Sequence, residues 1–393
     1  MKLLIATDFP PDAAGGGPAV VRQMLRGFSG EIHWWSCRSA GSSVPALDFK
    51  VLSFDSFPPG KLTPSRKWTH LKAWLMEYVW APLAAQSLRK TIKSVQPDCI
   101  WVIPHCWSIF PLHTVLVLKR LETSVHLTIQ DYPDILGLEG KCGKERVAQM
   151  AKLQEELYIL ADSRDATSLP MLDDLVCRLN IKGAQMLHQG LEAEDFDFLE
   201  KSQKSNEKLE MIRIAYAGTI LVEEEFEIFA KMLSELRDRG LPLRLEFWGA
   251  HSYASCSWYC QDWMGEHGNL PEKQLLAELR TCDWGFIPMS LENEEPRYNR
   301  FSFPTKFITY LAAGLPIISM GHAETSVMKM SAAYDVGCRI SDPLFPISDL
   351  GEILQDIKAK EKYRYEILRC AREQFDAEKM RKKLWDCFRK NED

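Results

Sequence analysis

Residues Phe301 to Ser319 read FSFPTKFITYLAAGLPIIS, and the fold follows from how that stretch is understood. Pro304 suits the opening of a helix, Gly314 the left-handed position just past its end, and Pro316 prevents continuation before a short apolar strand at Ile317 and Ile318. Phe303, Phe307, Tyr310, Leu311 and Gly314 recur at helical spacing and predict a buried face. Thr305, Lys306 and Thr309 fall on the opposite side near the amino end, where unpaired N–H groups and the positive helix pole favour a phosphate. Lys306 adds a full charge. The plainer alternative is a core helix of an α/β protein whose lysine snorkels to water, and the pattern alone leaves both open.

Working outward, short β-rich runs alternate with amphipathic helical runs from end to end, the pattern of parallel sheets built from βαβ units. Strands are predicted at 3–6, 32–35, 51–54, 99–103, 125–129 and 184–187, and again at 212–217, 243–247, 283–287 and 317–318. Between the two sets, Glu200 to Glu210 reads EKSQKSNEKLE, polar and almost without large apolar residues, as an interdomain linker should. The expected domains are therefore 1–205 and 206–375.

A chain of 393 residues is long enough for two cores, and 46% hydrophobic with 26% charged residues is an ordinary globular composition. A formal charge of −6 argues against a nucleic-acid partner, which usually demands a basic excess. Eleven scattered cysteines form no dense framework, so free thiols and a reducing, cytoplasmic setting are expected. Cys256 and Cys260 have no second Cys or His pair at metal-site spacing. The five-residue apolar run before Thr7 and Asp8 is too short for a signal-peptide core and predicts a first strand.

The segments Phe303-Pro304-Thr305-Lys306 and Tyr310-Leu311-Ala312-Ala313-Gly314-Leu315-Pro316 resemble, in order and spacing, the donor-site helix of GT-B glycosyltransferases, particularly the retaining family 4 enzymes of bacterial polysaccharide and lipopolysaccharide synthesis. Further landmarks extend the resemblance over nearly the whole chain: Phe9-Pro10-Pro11 with Gly15 to Gly17, Gly190-Leu191-Glu192, Ala217-Gly218-Thr219, Gly268 to Pro271, and Phe375 to Met380. The resemblance implies an α/β GT-B fold, two Rossmann-like parallel-sheet domains facing a central cleft, with a C-terminal helix, 376–393, packing back on the first domain. It also implies transfer of a sugar from a nucleotide-diphosphate donor to a saccharide or lipid-linked acceptor, with no metal cofactor, in the cytoplasm or at the inner face of its membrane. An epimerase of similar fold, or a non-catalytic scaffold partnering an active transferase, are the alternatives.

Candidate donor-binding residues are Gly16 and Gly17, which follow the first strand and let main chain approach a ligand, together with Gly218, Thr219, Arg300, Thr305, Lys306 and Thr309. The family's basic pair after the Gly218-Thr219 turn is absent; Glu223 to Glu225 follow instead and are assigned to a solvated face. Two glutamates common in the family are replaced by Phe301 and Thr309, with Glu292, Glu294 and Glu295 nearby. Candidate catalytic residues are His105 and Asp131, each just past a predicted strand at the edge where open α/β sheets bind ligands. The helical run Trp68 to Lys93 places aromatics beside basic residues, which suits either an interfacial helix on a membrane or a core helix, although Glu77 and Pro82 interrupt the face.

Overall fold

The computed structural model describes residues 1–40, 47–63, 69–117, 123–134, 138–201, 210–292 and 297–389. It divides into two α/β units. Unit 1 comprises the described residues of Met1–Gln189, Pro296–Ser302 and Glu378–Asp393; unit 2 comprises those of Gly190–Glu295 and Phe303–Ala377. The division thus falls at Gln189 and Gly190, ahead of the expected cut at 205 and 206, which lies outside the described residues. Leu191 explains the difference: it bridges Asp376, and its N–H donates to the Phe375 carbonyl, so the chain has joined unit 2 before the polar stretch begins.

Unit 1 contains a seven-stranded parallel sheet of β1 (Lys2–Thr7), β2 (Glu31–Ser36), β3 (Val51–Ser56), β4 (Cys99–Ile103), β5 (Ser124–Ile129), β6 (Ser163–Ala166) and β7 (Gln185–Met186). Its order, β3-β2-β1-β4-β5-β6-β7, reverses direction between β1 and β4. Both central strands are nearly continuous apolar runs, LLIA and CIWVI, because helices cover both faces of a parallel sheet. The C-terminal helix Ala377–Arg389 contributes Phe388, 5.6 Å from the Trp101 ring, and Trp385, whose indole N–H donates to the Met24 carbonyl at 3.0 Å.

Unit 2 repeats the plan with six parallel strands: β8 (Ile212–Ala217), β9 (Leu243–Trp248), β10 (Met264–Glu266), β11 (Trp284–Pro288), β12 (Ile317–Met320) and β13 (Arg339–Ile340). Here the order β10-β9-β8-β11-β12-β13 reverses between β8 and β11. An aromatic cluster fills the core between sheet and helices, with Phe229 stacked on Phe286 at 3.7 Å and Phe226 edge-on to Tyr216 at 5.0 Å. Such a reversal opens a crevice at the carboxyl ends of the two strands that flank it, and this is where a ligand binds an open sheet. In unit 1 that edge carries Asp8 and His105; in unit 2 it carries Gly218 and Thr219.

Candidate functional site

The unit 2 site is built around the helix Thr305–Ala313. Pro304 stands at the N-cap, at the helix opening, and Gly314 closes the far end at φ +68°, a conformation that favours glycine. Phe307, Tyr310 and Leu311 are fully buried, as the periodicity predicts. Tyr310 fastens the helix to the sheet: its hydroxyl accepts the Ala217 N–H at 2.9 Å and donates to the Ala215 carbonyl at 3.2 Å. The ring lies directly over Gly285, where a Cβ would stand only 2.5 Å from it.

That anchorage brings the partly buried Lys306 beside the β8 turn, with Nζ 4.0 Å from where a Gly218 Cβ would sit. Gly218 has φ +109°, and both it and Thr219 beside it are exposed; the Gly218 N–H donates to the Trp248 carbonyl at 2.7 Å. The lysine Nζ donates to the Tyr216 hydroxyl at 2.8 Å and lies 4.1 Å from the centre of that ring. Tyr216 in turn donates to the Thr219 carbonyl at 2.7 Å, so one phenol ties the cation to the loop. Among the described residues no carboxylate pairs with Lys306, and burial pulls its amine down to about 7. A partly desolvated amine with no carboxylate beside it favours an anionic ligand.

Thr309 turns inward on its own helix, donating to the Thr305 carbonyl at 3.2 Å. Of the three acids after the turn, Glu223 and Glu224 are exposed as expected, but Glu225 is buried and accepts the Leu291 N–H at 2.9 Å. The assignment of Glu225 to a solvated face is therefore corrected: it fastens the loop after β11. Glu292 is exposed, and Glu294 and Glu295 lie outside the described residues.

Arg300 belongs to unit 1, in the short helix Arg297–Phe301, where its guanidinium is 5.2 Å from the Phe301 ring. Its neighbour Arg297 is committed to Glu155 at 3.2 Å and to the Tyr132 ring at 4.5 Å. Asp134 accepts the Arg297 and Tyr298 N–H groups at 2.6 and 3.2 Å, a cap for that helix.

Elsewhere in unit 1, Gly15 at φ +117° precedes the helix Gly16–Leu25, and Gly17 is so close to Gln130 that a Cβ would meet its Oε1 at 2.5 Å. Gln130 donates to the Gly17 carbonyl at 3.2 Å, coupling the glycine loop to the end of β5. Asp131 accepts from the Ser302 hydroxyl at 2.5 Å; burial raises its carboxyl, against the pull of His105 and Ser302. His105 has Nδ1 at 3.9 Å from Asp8 Oδ2, and Asp8 also pairs with Arg38. Burial opposes protonation of the imidazole, yet Cys106, Asp8 and Asp131 outweigh it and raise the group. Asp8, Arg38, His105 and Cys106 form the polar side of a cavity of about 500 Å³ with Met76 and Trp107 among its apolar walls; Asp131 is not in its lining. Asp8 and Cys106 were not singled out from sequence; a short strand ending in Asp, and Cys after His, are too common to draw notice without the strand order.

Among the described residues no group of three or more His, Cys, Asp or Glu side chains could hold a metal ion, and all eleven cysteines are free. No family model and no curated protein matches the sequence. Solved structures match it over almost its full length. Sucrose-phosphate synthase from Thermosynechococcus elongatus superposes with a TM-score of 0.73 at 12% identity, covering 99% of this chain and 98% of that one. An α,α-trehalose-phosphate synthase (UDP-forming) from Burkholderia xenovorans, in complex with glucose-6-phosphate, gives 0.64 at 13%, covering 99% and 100%. WaaG, a glycosyltransferase involved in lipopolysaccharide biosynthesis, gives 0.61 at 11%, covering 99% of each. Likeness at such low identity shows a shared fold, that of the GT-B glycosyltransferases.

Proposed function

We propose that the protein is a retaining glycosyltransferase, moving a sugar from a nucleotide-diphosphate donor held by unit 2 to a saccharide or lipid-linked acceptor held by unit 1, in the assembly of a cell-surface polysaccharide or glycoconjugate. The observation that carries this reading is Lys306: a desolvated amine without a carboxylate partner among the described residues, at a helix start beside the exposed Gly218-Thr219 turn. A diphosphate matches these features together, receiving the helix field and one ammonium. The similarity to a UDP-forming synthase and to a lipopolysaccharide glycosyltransferase supports the donor class.

In the proposed reaction the acceptor oxygen bonds to the anomeric carbon as the bond from that carbon to the phosphate oxygen breaks, its electron pair leaving with the nucleoside diphosphate. The departing oxygen takes the acceptor's proton on the same face, so no strong side-chain base is needed. Lys306 stabilises the charge that grows on the leaving group, and Gly218 and Thr219 contribute main-chain contacts. His105 and Asp131, held by Asp8 and Ser302, orient acceptor hydroxyls. Purified protein supplied with a panel of nucleotide sugars should slowly release the nucleoside diphosphate from one of them. Lys306→Ala should cut that rate by roughly thirty to a thousand-fold, the equivalent of about 2 to 4 kcal/mol; unchanged turnover would remove Lys306 from the mechanism.

Membrane contact belongs to the same proposal. Among the described residues no helix is long and apolar enough to cross a membrane. The helical run Thr69–Val95 nevertheless exposes Leu71, Trp74, Tyr78, Val79 and Leu83 along one side, while Ala73, Met76, Trp80 and Ala84 are buried on the other. Trp68, the expected start of this run, lies outside the described residues. Glu77 does not break the exposed stripe, because it is buried against Arg146 at 2.7 Å. With Lys72, Lys90 and Lys93 on the same run, the stripe suits the surface of an anionic bilayer at the inner face of the cytoplasmic membrane. Flotation with anionic vesicles at low salt should carry the protein upward, and Trp74→Ser with Leu83→Ser should leave it at the bottom.

A further inference from the structure

The wall of the unit 1 cavity holds, beside His105, a thiol to which the proposed transfer assigns no role. Cys106 has φ +45°, a left-handed conformation that a residue with a Cβ seldom adopts. In this conformation Sγ lies 3.8 Å from Nε2 of the preceding His105. The other ring nitrogen faces Asp8 at 3.9 Å. The Ser108 hydroxyl accepts the His105 N–H at 2.9 Å and donates to its carbonyl at 2.8 Å, which pins the residue that carries the ring. A thiol, an imidazole in reach of its proton and a carboxylate behind the imidazole is the order of groups that activates a nucleophile.

We propose that Cys106 and His105 form a nucleophilic thiol pair opening into the unit 1 cavity, and that small soft electrophiles, including low-molecular-weight disulfides, modify Cys106. The thiol proton passes to Nε2, and the thiolate attacks. With a disulfide, a new S–S bond forms to Cys106, the old one breaks, and its electron pair departs on the released thiolate. With iodoacetamide, an S–C bond forms and iodide leaves.

The charged and titratable groups around the pair are Asp8 from the end of β1, Cys37 and Arg38 from the end of β2, Asp131 from the end of β5, Lys141 and Cys142 from the helix Leu138–Cys142, and Tyr298. The two carboxylates favour the imidazolium and oppose a thiolate directly, whereas the imidazolium, Arg38 and Lys141 favour one. Cys37 and Cys142 do not compete, since burial raises Cys37 well above the usual thiol range and pushes Cys142 up to about 11. Cys177, exposed on the surface, is the natural internal reference.

Modification places new atoms in the cavity and should obstruct it. The consequence for transfer rests on the function proposed above, but the reactivity does not. The full chain is treated with iodoacetamide from about pH 5.5 to about pH 9, and each cysteine is followed by peptide mass spectrometry. Cys106 should react at least about tenfold faster than Cys177 near pH 6.5. His105→Gln should slow Cys106 by about tenfold at that pH. Equal rates at Cys106 and Cys177, or a Cys106 rate that His105→Gln leaves unchanged, would overturn the proposal; the former needs no variant to fold. Nucleotide binding by unit 2 is measured separately, so loss of one result leaves the other standing.

Discussion

At the scale of single residues, Lys306 is stable only at a cost. Its folded value of about 7 lies below the ordinary 10.5, so between those limits the unfolded chain holds more protons than the folded one. The stability cost is fully present below pH 7, and ligand-free stability should rise with pH between about 7 and 10.5, as chemical denaturation at several pH values would show. Lys306→Met removes the desolvated charge and should stabilise the ligand-free protein near neutral pH by about 1–3 kcal/mol while weakening diphosphate binding. Binding should restore the ammonium: near pH 8 a nucleoside diphosphate should bring net proton uptake, measured by calorimetry in buffers of different ionisation enthalpy, and the Met variant should show none. The sequence disclosed Lys306 because capping and termination signals frame its helix. It did not disclose Tyr216, because a tyrosine in a strand reads as core, and only the strand order brings its hydroxyl to both the lysine and the Thr219 carbonyl.

At the scale of elements, the helix Thr305–Ala313 works because β11 lets it approach. Gly285→Ala would place a Cβ 2.5 Å from the Tyr310 ring, forcing the helix and its lysine outward. Overpacking of this kind should cost about 1–3 kcal/mol and weaken nucleotide affinity together with it, as thermal denaturation and titration would show. Long strands with β-branched or aromatic runs were legible in advance, β4 and β8 among them. Three were not: Ser163–Ala166 reads SRDA, Met264–Glu266 reads MGE and Arg339–Ile340 has two residues. None carries the composition of a strand, and each is held by pairing with a neighbour already in place, a tertiary effect that local propensity cannot report. His126 and Asp165 illustrate this: buried and 2.6 Å apart across β5 and β6, they stabilise a pairing invisible along the chain.

At the scale of the whole molecule, neither unit is one continuous stretch of chain. Pro296–Ser302 and Glu378–Asp393 belong to unit 1, so cutting at the polar linker would leave each half without part of its partner sequence. Truncation before Glu378 removes the Phe388 contacts with Trp101 and Phe28 and the Trp385 bond to Met24. It should lower the thermal stability of unit 1 while unit 2 keeps its nucleotide affinity, separable by domain-resolved hydrogen exchange. That the polypeptide has two Rossmann-like units was legible from repeated strand and helix alternation; the pairing of Leu191 with Asp376, almost two hundred residues away, was not, because nothing along the chain marks it. The proposed function rests on Lys306 and the turn beside it in unit 2. Its most direct test is a thermal-shift panel of nucleoside diphosphates on the natural protein and on Lys306→Met. At least one diphosphate should raise the melting temperature of the natural protein and leave the variant unmoved; a panel without effect, or equal shifts in both proteins, would contradict it.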